Sequence, residues 1–234
     1  MPPAAERLRR WNATSGSNLA TFTLMGINIA VFVIGTIASG AASLGRSGGV
    51  DSFHQRWALV LPAISDGQYW RLITSGFLHF GILHLAMNML ALFQLGRILE
   101  SSLGQFRFVG VYFASLLAGS AMVLLLQRNG QQISYTAGAS GAIFGLLGCL
   151  ALGMRARGIS VMRSGIGATL LINLFITFGI PGISIGGHIG GLIGGAICGA
   201  ILMSPRPIVS KQLAQLTPLL VGVASVVLAI AVSR

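Results

Sequence analysis

Hydrophobic positions in this chain fall into long runs separated by short polar stretches. The run Leu19–Ala38 is apolar for 20 residues, about the length that spans a bilayer as a helix. Five more runs follow, Phe77–Leu99, Phe108–Leu126, Ala137–Met154, Ile166–Ile180 and Ile183–Met203, and a seventh is read at Leu216–Val232. The fifth is short and carries Asn173; the last begins near Pro218, which a first helical turn accepts. The first run exceeds the roughly 7–15 apolar residues of a signal peptide, which favours a retained helix.

These runs predict an all-α, polytopic membrane protein. Residues 1–18 form a polar N-terminal segment, 19–203 a six-helix membrane core, and 204–234 a linker with a seventh transmembrane helix. Within the core, residues 39–76 form a long polar connection, and connections of that length are usually functional or disordered. Its end, Tyr69-Trp70-Arg71, has the character of an interface anchor.

Composition agrees. Hydrophobic residues make up 54% and charged residues 8% of the chain, against about 25% charged in soluble proteins. The net charge of +11 could suggest nucleic acid, but the arginines punctuate the apolar runs instead of forming a patch. A lipid bilayer is the expected partner, not nucleic acid. With the N-terminus cytoplasmic, ten basic residues fall on inner segments (Arg7, Arg9, Arg10, Arg97, Arg107, Arg155, Arg157, Arg163, Arg206, Lys211) and five on outer ones (Arg46, Arg56, Arg71, Arg128, Arg234). The positive-inside rule selects that orientation, in the plasma membrane. Cys149 and Cys198 both lie in apolar runs and read as packing residues.

The candidate chemistry starts at Gly138-Ala-Ser140-Gly141. A Gly-x-Ser-Gly match is expected by chance in so glycine-rich a chain, and a second occurs at Gly45-Arg-Ser47-Gly48. Topology separates the two. The second, fourth and sixth runs enter from the same face, with Ser140 three residues into the fourth, His188 five into the sixth, and His84 and Asn88 seven and eleven into the second. Ser140, His188 and His84 therefore lie within roughly 4–11 Å of one boundary, with Asn88 about a turn deeper. Polar groups inside a membrane usually face a bundle interior or a wet cavity. Gly187, Gly191, Gly195 and Gly199 recur every four residues beside His188, and Gly141 and Gly145 repeat that spacing beside Ser140. Small-residue faces of this kind let helices approach closely.

A serine needs a base, and His188 is the candidate. The acids Glu6, Asp51, Asp66 and Glu100 all lie outside the apolar runs, so the site would be a Ser–His dyad without a carboxylate. Phe144, one turn after Ser140, could stack on the imidazole. Asn88, His84 and the Ser140 amide could stabilise an oxyanion. No metal or cofactor is called for. His-Glu-x-x-His is absent, and His79 and His84, five apart, would lie on different helix faces. A non-catalytic module that binds transmembrane helices, or a small-solute transporter, is the alternative; neither a repeat nor a buried charge supports the transporter.

Together these residues resemble the rhomboid family of intramembrane serine proteases. The resemblance covers about Asp66 to Met203 and rests on Tyr69-Trp70-Arg71, His79-Phe-Gly-Ile-Leu-His84-Leu-Ala-Met-Asn88, Gly138-Ala-Ser140-Gly141 and Gly187-His188-Ile-Gly-Gly191. It implies a six-helix core, Ser140 as nucleophile and His188 as base, with Asn88, His84 and the Ser140 amide as oxyanion hole. It makes His79 structural, places Trp70 and Arg71 in a membrane-embedded first loop, and makes Gly191 the close-contact glycine between the fourth and sixth helices. It implies single-span membrane proteins as substrates, cut near the outer side of the transmembrane segment, with the fifth helix and the loop at 179–187 as gate and cap. Phe144 stands where relatives often carry Tyr, and the seventh helix would place the C-terminus outside. Inactive relatives lack the serine or the histidine; this chain keeps both.

Overall fold

Within a bilayer a backbone can satisfy its amides and carbonyls only inside its own helix or in a closed barrel. Each apolar run accordingly forms a helix. The computed structural model describes residues 18–39, 50–130, 133–179, 182–206 and 208–234. The arginines at 7, 9 and 10, and the second serine motif at Ser47, lie outside the described residues.

Helix α1 spans Leu19–Ala38. Three short helices follow, α2 (Ser52–Trp57), α3 (Leu61–Ser65) and α4 (Arg71–Thr74). Then come α5 (Ile82–Leu103), α6 (Gln105–Arg128), α7 (Ser140–Ala156), α8 (Ile166–Gly179), α9 (Ile185–Leu202) and α10 (Lys211–Ser233). Helices α1, α5, α6, α9 and α10 are long and apolar enough to cross a membrane, while α7 and α8 are shorter apolar helices. The chain is a multi-pass membrane protein: a helical bundle of six, with α10 as the seventh.

Helix α7 is the centre of the bundle. It is almost wholly buried from Gly141 to Met154, and Leu146, Leu150 and Met154 are among the largest fully buried side chains. Its main neighbours are α9 and α6. The α7–α9 contact is backbone on backbone. A Cβ on Gly191 would run into the Gly141 carbonyl, one on Gly195 into that of Gly145, and one on Gly199 into that of Cys149. A second glycine series on α9, not foreseen from the four-residue repeat, serves α6: Gly190 lies on the Ala118 carbonyl, and Gly186 on the Val123 backbone. Gly187 differs from its expected register, because its own carbonyl fits against Gly119 and Gly141. Cys149 and Cys198 are buried free thiols beside this seam.

Several sequence expectations are corrected. The connection after α1 is not simply a polar loop, since its described part buries Ala58, Leu59, Ile64 and Leu72. Arg71 ties it together, donating to the carbonyls of Gln55 (2.8 Å) and Ala58 (2.7 Å) and to Gln68 Oε1 (2.8 Å). Trp70 precedes α4 and is half exposed. The second apolar run becomes helical only at Ile82, because Gly81 takes φ +106° and turns the chain there. His79 thus lies before the helix, not on it, and its ring meets that of His84 edge-on at 5.0 Å, which a spacing of five on one helix would forbid.

Glu100 is buried, contrary to the expectation of no buried charge. It sits in the last turns of α5 and accepts from the amides of Ala20 (2.9 Å) and Thr21 (2.8 Å) and from the Thr21 hydroxyl (2.6 Å). A carboxylate there satisfies orphan donors at the start of α1 and meets its helix dipole. Helix α10 starts five residues earlier than expected, with Ser210 accepting from the Leu213 amide at 3.3 Å. Pro218 therefore lies inside the helix, buried, with its ring against Gly110 of α6.

Candidate active site

Ser140 is the first residue of α7, and its amide belongs to the unpaired first turn. His188 is the fourth residue of α9, whose start is capped by Ser184 accepting from the Gly187 amide at 3.1 Å. The glycine seam holds these two helix starts together. His188 Nε2 and Ser140 Oγ are 2.8 Å apart, a hydrogen bond. The imidazole stacks on Phe144, with ring centroids 4.0 Å apart and planes 15° apart.

His84 is the third residue of α5 and Asn88 the seventh, so both lie nearer the helix start than expected. Gly138 carries φ +134°, which favours glycine. Its amide donates to the Ser75 carbonyl at 2.9 Å, fixing the approach to Ser140. A Cβ on Gly138 would lie 3.0 Å from His84 Nε2 and 3.6 Å from Ser140 Oγ. One point in space is therefore flanked by the serine hydroxyl and the His84 ring. His84 Nδ1 accepts from the Phe80 amide over a long 3.4 Å, which leaves its proton on Nε2, the nitrogen facing Gly138. Asn88 Nδ2 donates to the His84 carbonyl at 2.9 Å and keeps a second N–H.

Two contributors were not legible in the sequence. Thr177, near the end of α8, has its hydroxyl 2.7 Å from His188 Nδ1. Nothing in the spacing of an apolar run marks that threonine. His54, in α2, stacks on Phe80, pairs with Asp51 Oδ1 at 2.9 Å and lies 3.2 Å from the His79 carbonyl. The Asp51-Ser-Phe-His54 spacing, a helix cap with its partner one turn on, was the available signal. Trp70 and Arg71 belong to the connection before α5 and not to the serine–histidine cluster.

The cluster lies where three helices start, and α7 is short. Seventeen residues of α7 rise about 25 Å, short of a hydrocarbon layer of about 30 Å.

The fold and this arrangement define a helical membrane bundle with a hydrogen-bonded serine and histidine at one end. The Rhomboid domain family model matches residues 66–205, more than half of the chain. The chain belongs to the rhomboid family. It is 40% identical over 128 residues to "Rhomboid protease GluP" of Bacillus subtilis, a match covering 53% of this chain and 24% of that protein. It is 40% identical over 86 residues to "Putative rhomboid protease YdcA" of the same organism, covering 36% of this chain and 41% of that one. It is also 34% identical over 110 residues to "Inactive RHOMBOID-like protein 8" of Arabidopsis thaliana, covering 47% and 30%. The chain thus spans between about a quarter and two fifths of the length of these relatives.

Proposed function

We propose that the chain is an intramembrane serine endopeptidase that cuts transmembrane segments of single-span membrane proteins with a Ser140–His188 dyad. The observation that carries this reading is the 2.8 Å bond between His188 Nε2 and Ser140 Oγ at two adjoining helix starts. In the first step His188 Nε2 takes the hydroxyl proton while Oγ bonds to the scissile carbonyl carbon. The carbonyl π electrons move onto oxygen. That oxyanion is stabilised by His84 Nε2–H, by the free N–H of Asn88 and by the Ser140 amide, which adds the favourable end of the α7 dipole. Collapse breaks the C–N bond, and Nε2–H gives its proton to the leaving amine. Water then releases the acyl group by the same route in reverse.

His79 backs the His84 ring, Phe144 holds the plane of His188, and Gly138, Gly141, Gly187 and Gly191 permit the close approach. Trp70 and Arg71 shape the connection before α5. We assign residues 19–203 to the protease core and α10 to an appended helix. The N-terminus is assigned to the cytoplasm and the site to the outer face of the plasma membrane, on the balance of basic residues.

A serine-directed fluorophosphonate tests the reading directly. Covalent labelling at Ser140 in the wild type, lost in Ser140→Ala and in His188→Ala, is expected, together with loss of cleavage of a model transmembrane substrate. Cleavage unchanged in either folded variant would sink the dyad. The second reading is a non-catalytic module that binds transmembrane helices. It is favoured by the likeness to an "Inactive RHOMBOID-like protein 8". It predicts association with the substrate and no product.

A further inference from the structure

The Thr177 hydroxyl has one proton and two close neighbours. Its Oγ1 lies 2.7 Å from the carbonyl of Asn173, one turn back, and 2.7 Å from His188 Nδ1. An oxygen facing a carbonyl oxygen at that distance requires a proton between them, so the hydroxyl donates to Asn173. The remaining contact can then only be an acceptance from Nδ1–H. A neutral imidazole with its proton on Nδ1 has a bare Nε2, and that is the nitrogen 2.8 Å from Ser140 Oγ. The opposite arrangement, with the hydroxyl donating to Nδ1, would place a proton on Nε2. It would then point an N–H at the serine and leave nothing to receive the serine proton.

We infer that Thr177 is a positioning residue that selects the Nδ1–H tautomer of His188, taking the place a carboxylate would otherwise fill. The inference rests on the proposed dyad. Thr177 is buried, at 1% exposure, on a helix where Leu171, Ile172, Phe175 and Phe178 are all exposed. The other polar side chains there bond to carbonyls one turn back, Asn173 to that of Thr169 (2.8 Å) and Thr169 to that of Gly165 (3.2 Å). Thr177 is thus the polar link from α8 to the histidine, so the docking of α8 and the readiness of the base are one event. When Nε2 takes the serine proton, Nδ1–H keeps its neutral acceptor. Among the described residues, the positive ring is oriented by a hydroxyl and not by a carboxylate.

The test uses the full chain in lipid nanodiscs with 15N-labelled histidine. At pH 8 the His188 ring is expected to show a protonated Nδ1 and a bare Nε2. Thr177→Val removes the hydroxyl at nearly constant shape. The Nε2–H tautomer should then appear and kcat should fall on the order of 10-fold to 100-fold, with KM within about twofold. Thr177→Ser keeps the hydroxyl and should restore both the spectrum and kcat. A wild-type ring protonated on Nε2 overturns the inference, and this measurement stands even if the valine variant does not fold. So does a folded Thr177→Val with unchanged spectrum and kcat. A wild type that holds the Nδ1–H ring yet neither cleaves substrate nor labels at Ser140 supports the tautomer and overturns the protease reading instead.

Discussion

Gly191 of α9 lies directly on the carbonyl of Gly141, the residue after Ser140. No side chain separates the two helices there, so the distance between Ser140 and His188 is set by backbone contact. Gly191→Ala would insert a methyl group against a carbonyl that cannot move without moving α7. Overpacking of this kind costs about 1–3 kcal/mol. Thermal unfolding in detergent should show that loss. Cleavage should fall too, by about tenfold for each 1.4 kcal/mol that misalignment adds to the barrier. Wild-type stability in Gly191→Ala would refute the contact.

Phe144 supplies a ring face to His188 at 4.0 Å. Stacked pairs contribute about 0.5–1.5 kcal/mol beyond burial. Phe144→Leu should lower kcat by about twofold to tenfold, and Phe144→Tyr should keep the wild-type rate, since it keeps the ring. A tyrosine variant as slow as the leucine one would show that the plane of the ring is not what matters.

Gly138 combines a φ of +134° with close approach to His84. Gly138→Ala would strain the backbone and push the His84 ring from the point it flanks. The fluorophosphonate should still label Ser140, while peptide cleavage drops about 10²-fold through loss of an oxyanion donor. Equal loss of labelling and cleavage would place the damage at the serine itself.

Glu100 offers a contrast at the opposite end of the bundle. Glu100→Ala leaves two amides and a hydroxyl of α1 without their acceptor. A stability loss of about 2–4 kcal/mol is expected in chemical denaturation, with kcat per folded molecule unchanged. Glu100→Gln, which keeps one acceptor oxygen, should lose about half as much. A change in kcat equal to that of Gly191→Ala would contradict the separation of the two ends.

The pH dependence has a definite sign. A base with a proton on Nε2 cannot take another, so cleavage falls as pH drops through the His188 titration; free histidine titrates near 6.5. Because no carboxylate among the described residues bonds that ring, Thr177→Asp should move the acid limb to higher pH, as a negative partner favours the charged ring. A rate that rises toward acid pH would remove His188 from the role of base.

Much of this was legible in the sequence, for identifiable reasons. A bilayer permits few backbone conformations, so seven apolar runs gave seven helices, and α1 coincides with its run from Leu19 to Ala38. The meeting of Ser140 with His188 followed from shared entry face and depth, and Phe144 from one turn of helical spacing. What stayed hidden depended on contacts that no local pattern carries. The hydroxyl of Thr177 points inward because α8 docks at one rotation among several. Glu100 reaches the start of α1 from 80 residues away in sequence. Hydropathy also placed the second helix start too early, because the apolar residues Phe77, Leu78 and Phe80 precede the turn at Gly81, where direction and not polarity changes.

The glycine seam has a consequence for what can vary. Where two helices touch through peptide groups, their spacing is inherited from bond lengths and helix pitch, which are common to every polypeptide. Rotamers have no part in it. The lipid-facing surfaces of α1, α8 and α10 can then be recut to suit a thinner, thicker or more fluid bilayer while the geometry at Ser140 holds. Tolerance to substitution should follow that division, with any apolar side chain accepted on the rind and none beyond glycine along the seam.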